Sequence, residues 1–204
     1  VWCGESGMRA IVPATLAGLP PRMQAVLEMA ESRLQGSLTA LRGRPEWQRL
    51  WLASDYALDV VVRDPVAAIA LDEAITSEDV PDYALLFSDP AISADEAAFM
   101  RWLRQQRNRE MLRWIWRDVN GLCSVQELTR ELSDFADVCI ELARQRAHAE
   151  LVLRHGEPIG EESGVAQQLS VIGMGKLGAH ELNLSSDIDL IFVYPEAGET
   201  AGPS

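Results

Sequence analysis

The sequence predicts an α+β chain that is mostly α-helical: a helical amino-terminal region, followed by the first strands of a mixed domain. Apolar residues recur at helical spacing from about residue 20 to residue 155, and two S-x-x-E capping boxes mark the starts of long helices. After residue 166 the pattern changes to short apolar runs on either side of a glycine turn. The resulting division is a variable helical region over 1–90, a helical hairpin over 91–165 that packs on the domain after it, and an incomplete α/β domain over 166–204.

Residues 1–19 are rich in Gly and Pro and carry no sustained period, so the fold is expected to begin near Pro20-Pro21, which opens a helical tract to about Leu41. Arg42-Gly43-Arg44-Pro45 stops it. Trp47, Leu50, Trp51, Tyr56, Leu58 and Val61 then predict a second helix ending before Asp64-Pro65, with short helices between Pro65 and Ser88. The boxes Ser93-Ala-Asp-Glu96 and Ser124-Val-Gln-Glu127 open the two strongest helices, which should end at Asn120-Gly121 and His155-Gly156 and pair as an antiparallel hairpin. In the second, Leu128, Leu132, Phe135, Cys139 and Leu142 form one packing stripe. Glu157 to Ala166 reads as a loop, Gln168–Gly173 as a strand, Asp187–Tyr194 as another, and Glu196–Ser204 as a closing loop. A two-stranded sheet is marginal alone, so the rest of this domain is expected to be missing, and the start at Val1 suggests that at least one end is not native.

Composition narrows the function. The 204 residues carry 31 acidic and 18 basic side chains, a net charge of -13, so the long-range field repels polyphosphate and anionic lipid. General nucleic-acid binding is disfavoured, and phosphate chemistry would need a local positive centre. Cys3, Cys123 and Cys139 are odd in number and lack C-x-x-C spacing, which argues against a disulfide framework and for a reducing cytoplasm. The longest apolar tract, Val60 to Ala74, is broken by Arg63, Asp64, Pro65 and Asp72 well short of the ~20 residues a membrane span needs. Pro13 splits the short apolar stretch Met8 to Leu19, which speaks against a signal peptide.

The chemistry concentrates in residues 173–189. In a strand starting at Asp187, Asp187 and Asp189 share one face, while Ile188, Leu190, Phe192 and Tyr194 form the core face. Two residues of rise separate the carboxylates by ~7 Å, where they repel by ~2.4 kcal/mol at an effective dielectric near 20. A divalent cation removes that cost, and such a pair suits magnesium, which fills its remaining positions with water and phosphate oxygens. A bare D-x-D is more often a turn cap beside a solvated acid, since such pairs are common at strand ends. The preceding Gly173-Met-Gly-Lys-Leu-Gly178 adds a flexible, donor-rich turn able to approach a phosphate, and it holds Lys176, the chain's single lysine.

Gly173, Gly175 and Gly178 also satisfy G-x-G-x-x-G, with Glu196 placed 18 residues beyond as a candidate ribose ligand, so a dinucleotide-binding oxidoreductase is an alternative. Against it, eight residues between Gly178 and Asp187 are too few for a crossover helix. Ala179-His180 after the last glycine excludes a Walker A loop. A non-catalytic helical interaction module is the third reading.

The run Gly173-Met-Gly-Lys-Leu-Gly-Ala-His-Glu-Leu-Asn-Leu-Ser-Ser-Asp-Ile-Asp-Leu-Ile-Phe192 resembles the signature of the bifunctional glutamine synthetase adenylyltransferase/adenylyl-removing family, within the polymerase-β-like nucleotidyltransferase superfamily. The wording is similar to that family's amino-terminal, deadenylylating domain, and the Arg101–Asp118 stretch is similar to an arginine-rich helix there. The resemblance implies that Asp187 and Asp189 are catalytic and hold Mg2+ or Mn2+. It implies that Gly173, Gly175 and Gly178 admit the phosphates, with Lys176 and Ser186 as further contacts. It also implies phosphorolytic removal of AMP from a tyrosine of glutamine synthetase, ATP, ADP and inorganic phosphate as small-molecule partners, and control by a PII signalling protein. A sister domain would carry adenylylation, and a third acidic ligand on a later strand would lie beyond Ser204, leaving an incomplete active site. Ala179-His180 departs from the family, which often has a further glycine there.

The remaining polar groups have plainer expectations. Arg101, Arg104, Arg107, Arg109, Arg113 and Arg117 surround their helix and should be solvated or paired with Glu96, Glu110 or Asp118. Trp102, Trp114 and Trp116 should pack rather than stack on bases. His148 and His155 should be solvated, and His180 has no evident partner.

Overall fold

The computed structural model describes residues 17–74, 81–89, 95–200 and 202, and within them the chain is α+β and mostly helical. Cys3, most of the Met8–Leu19 stretch and the Ser93 of the first capping box lie outside the described residues. The chain divides into two compact units, Val1–Val80 with Met100–Leu128, and Pro81–Phe99 with Thr129–Ser204, so the division falls inside its two longest helices. Among the described residues no helix is long and apolar enough to cross a membrane.

In the first unit, α1 (Pro21–Arg33) starts with proline at its first helical position, as the sequence predicts, but stops before Leu41. Leu34 and Gln35 are extended and Gly36 takes φ 57, a left-handed value that suits glycine. A separate 3-10 turn, Gly36–Leu41, then buries Leu38 and Leu41. The predicted second helix is also two, α2 (Pro45–Ala53) and α3 (Asp55–Arg63). Ser54 breaks it because its φ of -154 is non-helical and its hydroxyl accepts the Ala57 N–H, capping α3. α4 (Pro65–Glu73) follows, capped by Asp64 through the Ala67 N–H at 3.1 Å.

Asp64 has a second partner, the Nε of Arg109 at 2.9 Å. Partial burial pushes its carboxyl upward, but the Arg109 and Ala67 bonds outweigh this and hold it below the usual carboxylate range. The pair therefore stabilises fully above the unfolded carboxylate value and loses that contribution as pH falls through the folded one. Asp64→Asn keeps the cap and removes the charge. Acid titrations of stability for the two proteins should separate at neutral pH and converge in acid; parallel curves would defeat the assignment.

α5 (Glu96–Val119) begins after Asp95, whose carboxylate accepts the Ala98 N–H at 2.8 Å. α6 (Val125–His155) begins at the second box as predicted. The Ser124 hydroxyl accepts the Glu127 N–H at 3.2 Å, and the Glu127 carboxylate accepts the Ser124 N–H at 2.6 Å. Ser124→Ala should cost about 1 kcal/mol, read as a lowered urea midpoint with unchanged slope. Gly121 and Gly156, at φ 75 and 80, end the two helices where the sequence places their stops. Trp102, Trp114 and Trp116 are buried packing residues, and Arg113 pairs with Glu110 at 2.8 Å.

In the second unit, the Arg146 guanidinium lies 4.9 Å over the Phe99 ring, which brings the later part of α6 beside the start of α5, as in an antiparallel hairpin. Leu132, Phe135 and Leu142 of the predicted stripe are buried, Cys139 only partly. His148 is not simply solvated, lying 3.8 Å from Glu157. Four short strands follow: β1 (Pro158–Gly160), β2 (Ser170–Gly173), β3 (Leu190–Val193) and β4 (Gly198–Thr200). β2 pairs antiparallel with β3, and β1 with β4, so both segments expected to be loops contribute a strand. Composition hid these strands because glycine makes the pairing possible: a Cβ on Gly198 would sit 2.0 Å from the Ile159 carbonyl oxygen.

Candidate functional site

The glycine turn is a single helical turn, α7 (Gly175–Gly178), set directly on the end of β2. Gly175 has φ 53, and a Cβ on Gly178 would lie 2.5 Å from the Gly173 carbonyl oxygen, so these glycines let the turn fold back onto its own strand. Leu177, 3% exposed, anchors the turn from beneath. Lys176 is exposed and has no carboxylate within ion-pair distance among the described residues.

The ladder joins the two halves of the motif. Gly173 pairs with Leu190, and the Met174 N–H donates to the Asp189 carbonyl at 2.9 Å. Asp189 thus stands opposite Met174, the residue that leads into the glycine turn, with Asp187 two residues before it on the approach to β3. β3 starts at Leu190 rather than at Asp187, because beyond Met174 the partner chain turns into α7 and leaves nothing to pair with. Both aspartates are exposed. The expected core face is not one: Ile188, Phe192 and Tyr194 are 42%, 61% and 67% exposed, and among the described residues no element covers them. The buried positions are instead Leu177 and Leu182.

Ser186 is committed within the loop. Its hydroxyl donates to Asn183 Oδ1 at 2.9 Å and accepts the Asn183 N–H at 3.2 Å. Asn183 Oδ1 also accepts from the N–H and hydroxyl of Ser185, both at 3.1 Å. Asn183 lies outside the glycine-and-acid motif, yet Asn-x-Ser-Ser before an aspartate is the spelling of an Asx turn. His180 was expected to be unpartnered, yet its Nδ1 lies 3.5 Å from Asp134. It is the non-glycine residue with positive φ among those described, at 55. On the α6 side of the turn a cleft of 540 Å³ is lined by Gly173, Leu177, Gly178, Asp137, Arg144 and Gln168 among others, but by neither motif aspartate. Desolvation there pushes the Asp137 carboxyl above the usual range, with His180 opposing and Asp134 adding to the shift.

Two exposed carboxylates beside a backbone-rich turn are hard oxygen donors, the set a Mg2+ or Mn2+ ion accepts when phosphate and water complete its shell. No cluster of three or more His, Cys, Asp or Glu ligands occurs among the described residues, so the pair would need those further oxygens. The dinucleotide alternative fails on geometry. β2 and β3 run antiparallel where a βαβ unit is parallel. Glu196, its candidate ribose ligand, instead accepts the N–H groups of Glu162 and Ser163 at 2.7 and 3.1 Å.

A glycine turn set on the end of one strand, with an acid pair leading into the strand paired to it, is the arrangement expected of the nucleotidyltransferase class. The family model for glutamate-ammonia ligase adenylyltransferase matches residues 46–204, and the chain belongs to that family. A bifunctional glutamine synthetase adenylyltransferase/adenylyl-removing enzyme of Pseudomonas aeruginosa is 41% identical over 203 residues, covering 95% of this chain and 21% of that protein. Its counterpart in Acinetobacter baylyi is 64% identical over 108 residues, 53% of this chain and 12% of the relative. That of Thioalkalivibrio sulfidiphilus is 41% identical over 189 residues, 90% of this chain and 19% of the relative. The chain thus spans about a fifth or less of the length of these relatives.

Proposed function

We propose that this chain supplies the glycine turn and acid pair of a metal-dependent nucleotidyl-transfer site acting on glutamine synthetase, in the direction that removes AMP from a modified tyrosine. The observation that carries this reading is the Met174–Asp189 backbone bond, which ties the backbone of the second aspartate to the start of the glycine turn within a chain of this family. Inorganic phosphate attacks the α-phosphorus of the tyrosyl-AMP, the bond to the phenolic oxygen breaks, and that oxygen takes up a proton as ADP leaves. Asp187 and Asp189 hold Mg2+ or Mn2+, which when bound supplies charge neutralisation for the entering and leaving oxygens. Gly173, Gly175 and Gly178 keep side chains away from the approaching phosphates, and the exposed ammonium of Lys176 is available to one of their oxygens.

The adenylylating reaction with ATP and regulation by a PII protein belong to the longer protein on this reading, which works in the cytoplasm. The test uses that longer protein: ADP binding followed with and without Mg2+ or Mn2+, and ADP release from adenylylated glutamine synthetase on addition of phosphate. Cation-dependent ADP binding with phosphate-dependent release is expected. ADP binding indifferent to the cation would overturn the metal role, and no nucleotide binding at all would leave a helical interaction module.

A further inference from the structure

The loop that delivers Asp187 is fastened to α6 at one buried point. Ser133 is 0% exposed, and its hydroxyl donates to the Thr129 carbonyl one turn back at 2.8 Å. With its proton directed there, the oxygen is free to accept the Leu182 N–H, at 3.3 Å. Leu182 is itself 5% exposed, so without Ser133 that amide would be a buried donor lacking this acceptor.

From Leu182 the restraint passes through a closed turn. The Ser186 N–H donates to the Asn183 carbonyl at 3.0 Å, adding to the side-chain bonds that tie Ser185 and Ser186 to Asn183. Asp187 is the next residue. Beyond it, Asp189 is held to β2 through Met174. Asp187 therefore lies between two fixed points, one on α6 and one on β2. His180 adds an exposed contact to the neighbouring α6 residue, Asp134.

We propose that Ser133, a helix residue outside the glycine-and-acid motif, is a positioning residue for the acidic loop: its hydroxyl holds Leu182 and, through the Asn183 turn, sets where Asp187 presents its carboxylate. This rests on Asp187 and Asp189 being the cation ligands. A serine serving only to fill space on α6 would be replaceable by alanine without touching the loop's chemistry.

The test compares Ser133→Ala, Ser133→Thr, Asn183→Ala and Asp187→Asn in the longer protein. Its readouts are Mn2+ affinity by spin-resonance titration, Leu182 amide exchange, and kcat and KM for AMP removal. Ser133→Ala should keep the helical circular dichroism, exchange the Leu182 amide at least about tenfold faster, and weaken Mn2+ binding about tenfold. Its kcat should fall by a similar factor while KM for the modified synthetase stays put. Ser133→Thr, which retains the hydroxyl, should recover most of both losses. Unchanged Mn2+ affinity and kcat in Ser133→Ala, or no recovery with threonine, overturns the proposal. Should Ser133→Ala not fold, Asn183→Ala breaks the same chain of bonds, and wild-type Mn2+ affinity there overturns it equally. Wild-type Mn2+ binding and turnover in Asp187→Asn would sink the cation site itself; loss in Asp187→Asn with none in Ser133→Ala sinks only the role of Ser133.

Discussion

Truncating Trp47 to alanine is expected to remove about 3–5 kcal/mol from the stability of the first unit. Trp47 is 0% exposed, its ring centroid lies 5.4 Å from that of Trp51 and 6.3 Å from that of Trp116, and its indole N–H donates to Asp72 at 2.8 Å. Alanine would leave an indole-sized void in a triad of rings and take a donor from Asp72, which also pairs with Arg44. Among the described residues the buried indole N–H groups of Trp51 and Trp116 have no acceptor, so those rings contribute packing alone. Trp51→Phe should therefore cost less than Trp47→Phe, since only the latter takes a hydrogen-bond donor from a carboxylate. Urea unfolding followed by far-ultraviolet circular dichroism checks the order; a loss below about 1 kcal/mol for Trp47→Ala would mean the ring triad is not the centre of this core.

The same triad illustrates what the sequence makes legible. Trp47, Leu50 and Trp51 advertise a helix by spacing, and spacing also tells which face is buried. It does not reveal where a helix pauses, because the apolar period from Trp47 to Val61 runs unbroken across Ser54. The break there is made by one hydroxyl taking one backbone N–H. The Ser124 box was readable because both partners are spelled within four residues. The motif residues 173–189 were likewise readable in order, but strand limits depend on the pairing partner, and the departure of α7 moves the start of β3 past both aspartates. Ser133 gave no signal at all: a serine inside a long helix acquires meaning only once Leu182, 49 residues away, is brought against it. His180 illustrates the opposite case, a departure from glycine visible in the sequence whose left-handed backbone and Asp134 partner appear only in three dimensions.

Asp187→Asn should lower the rate of AMP removal by about 10³-fold or more while leaving the melting temperature essentially unchanged. The side chain is exposed, so the amide fits where the carboxylate was and no packing is lost. What changes is one negative charge and, on the proposed reading, one cation ligand out of two. A bound divalent ion contributes several kcal/mol of charge stabilisation in phosphoryl chemistry, and 1.4 kcal/mol is a factor of ten in rate, which sets the scale of the loss. Asp189→Asn should behave alike, and the double variant should be little worse than either single one, because ligands of one ion act as a unit. Lys176→Ala removes a point charge from a solvated position and should cost nearer tenfold, felt as weaker phosphate binding. The decisive measurement is the pattern: two aspartate variants with equal, non-additive losses in kcat, a much smaller loss for the lysine, and thermal unfolding alike in all four. Additive losses at Asp187 and Asp189 would mean that the two carboxylates do not share a cation, and turnover within tenfold of wild type in both would remove them from the chemistry.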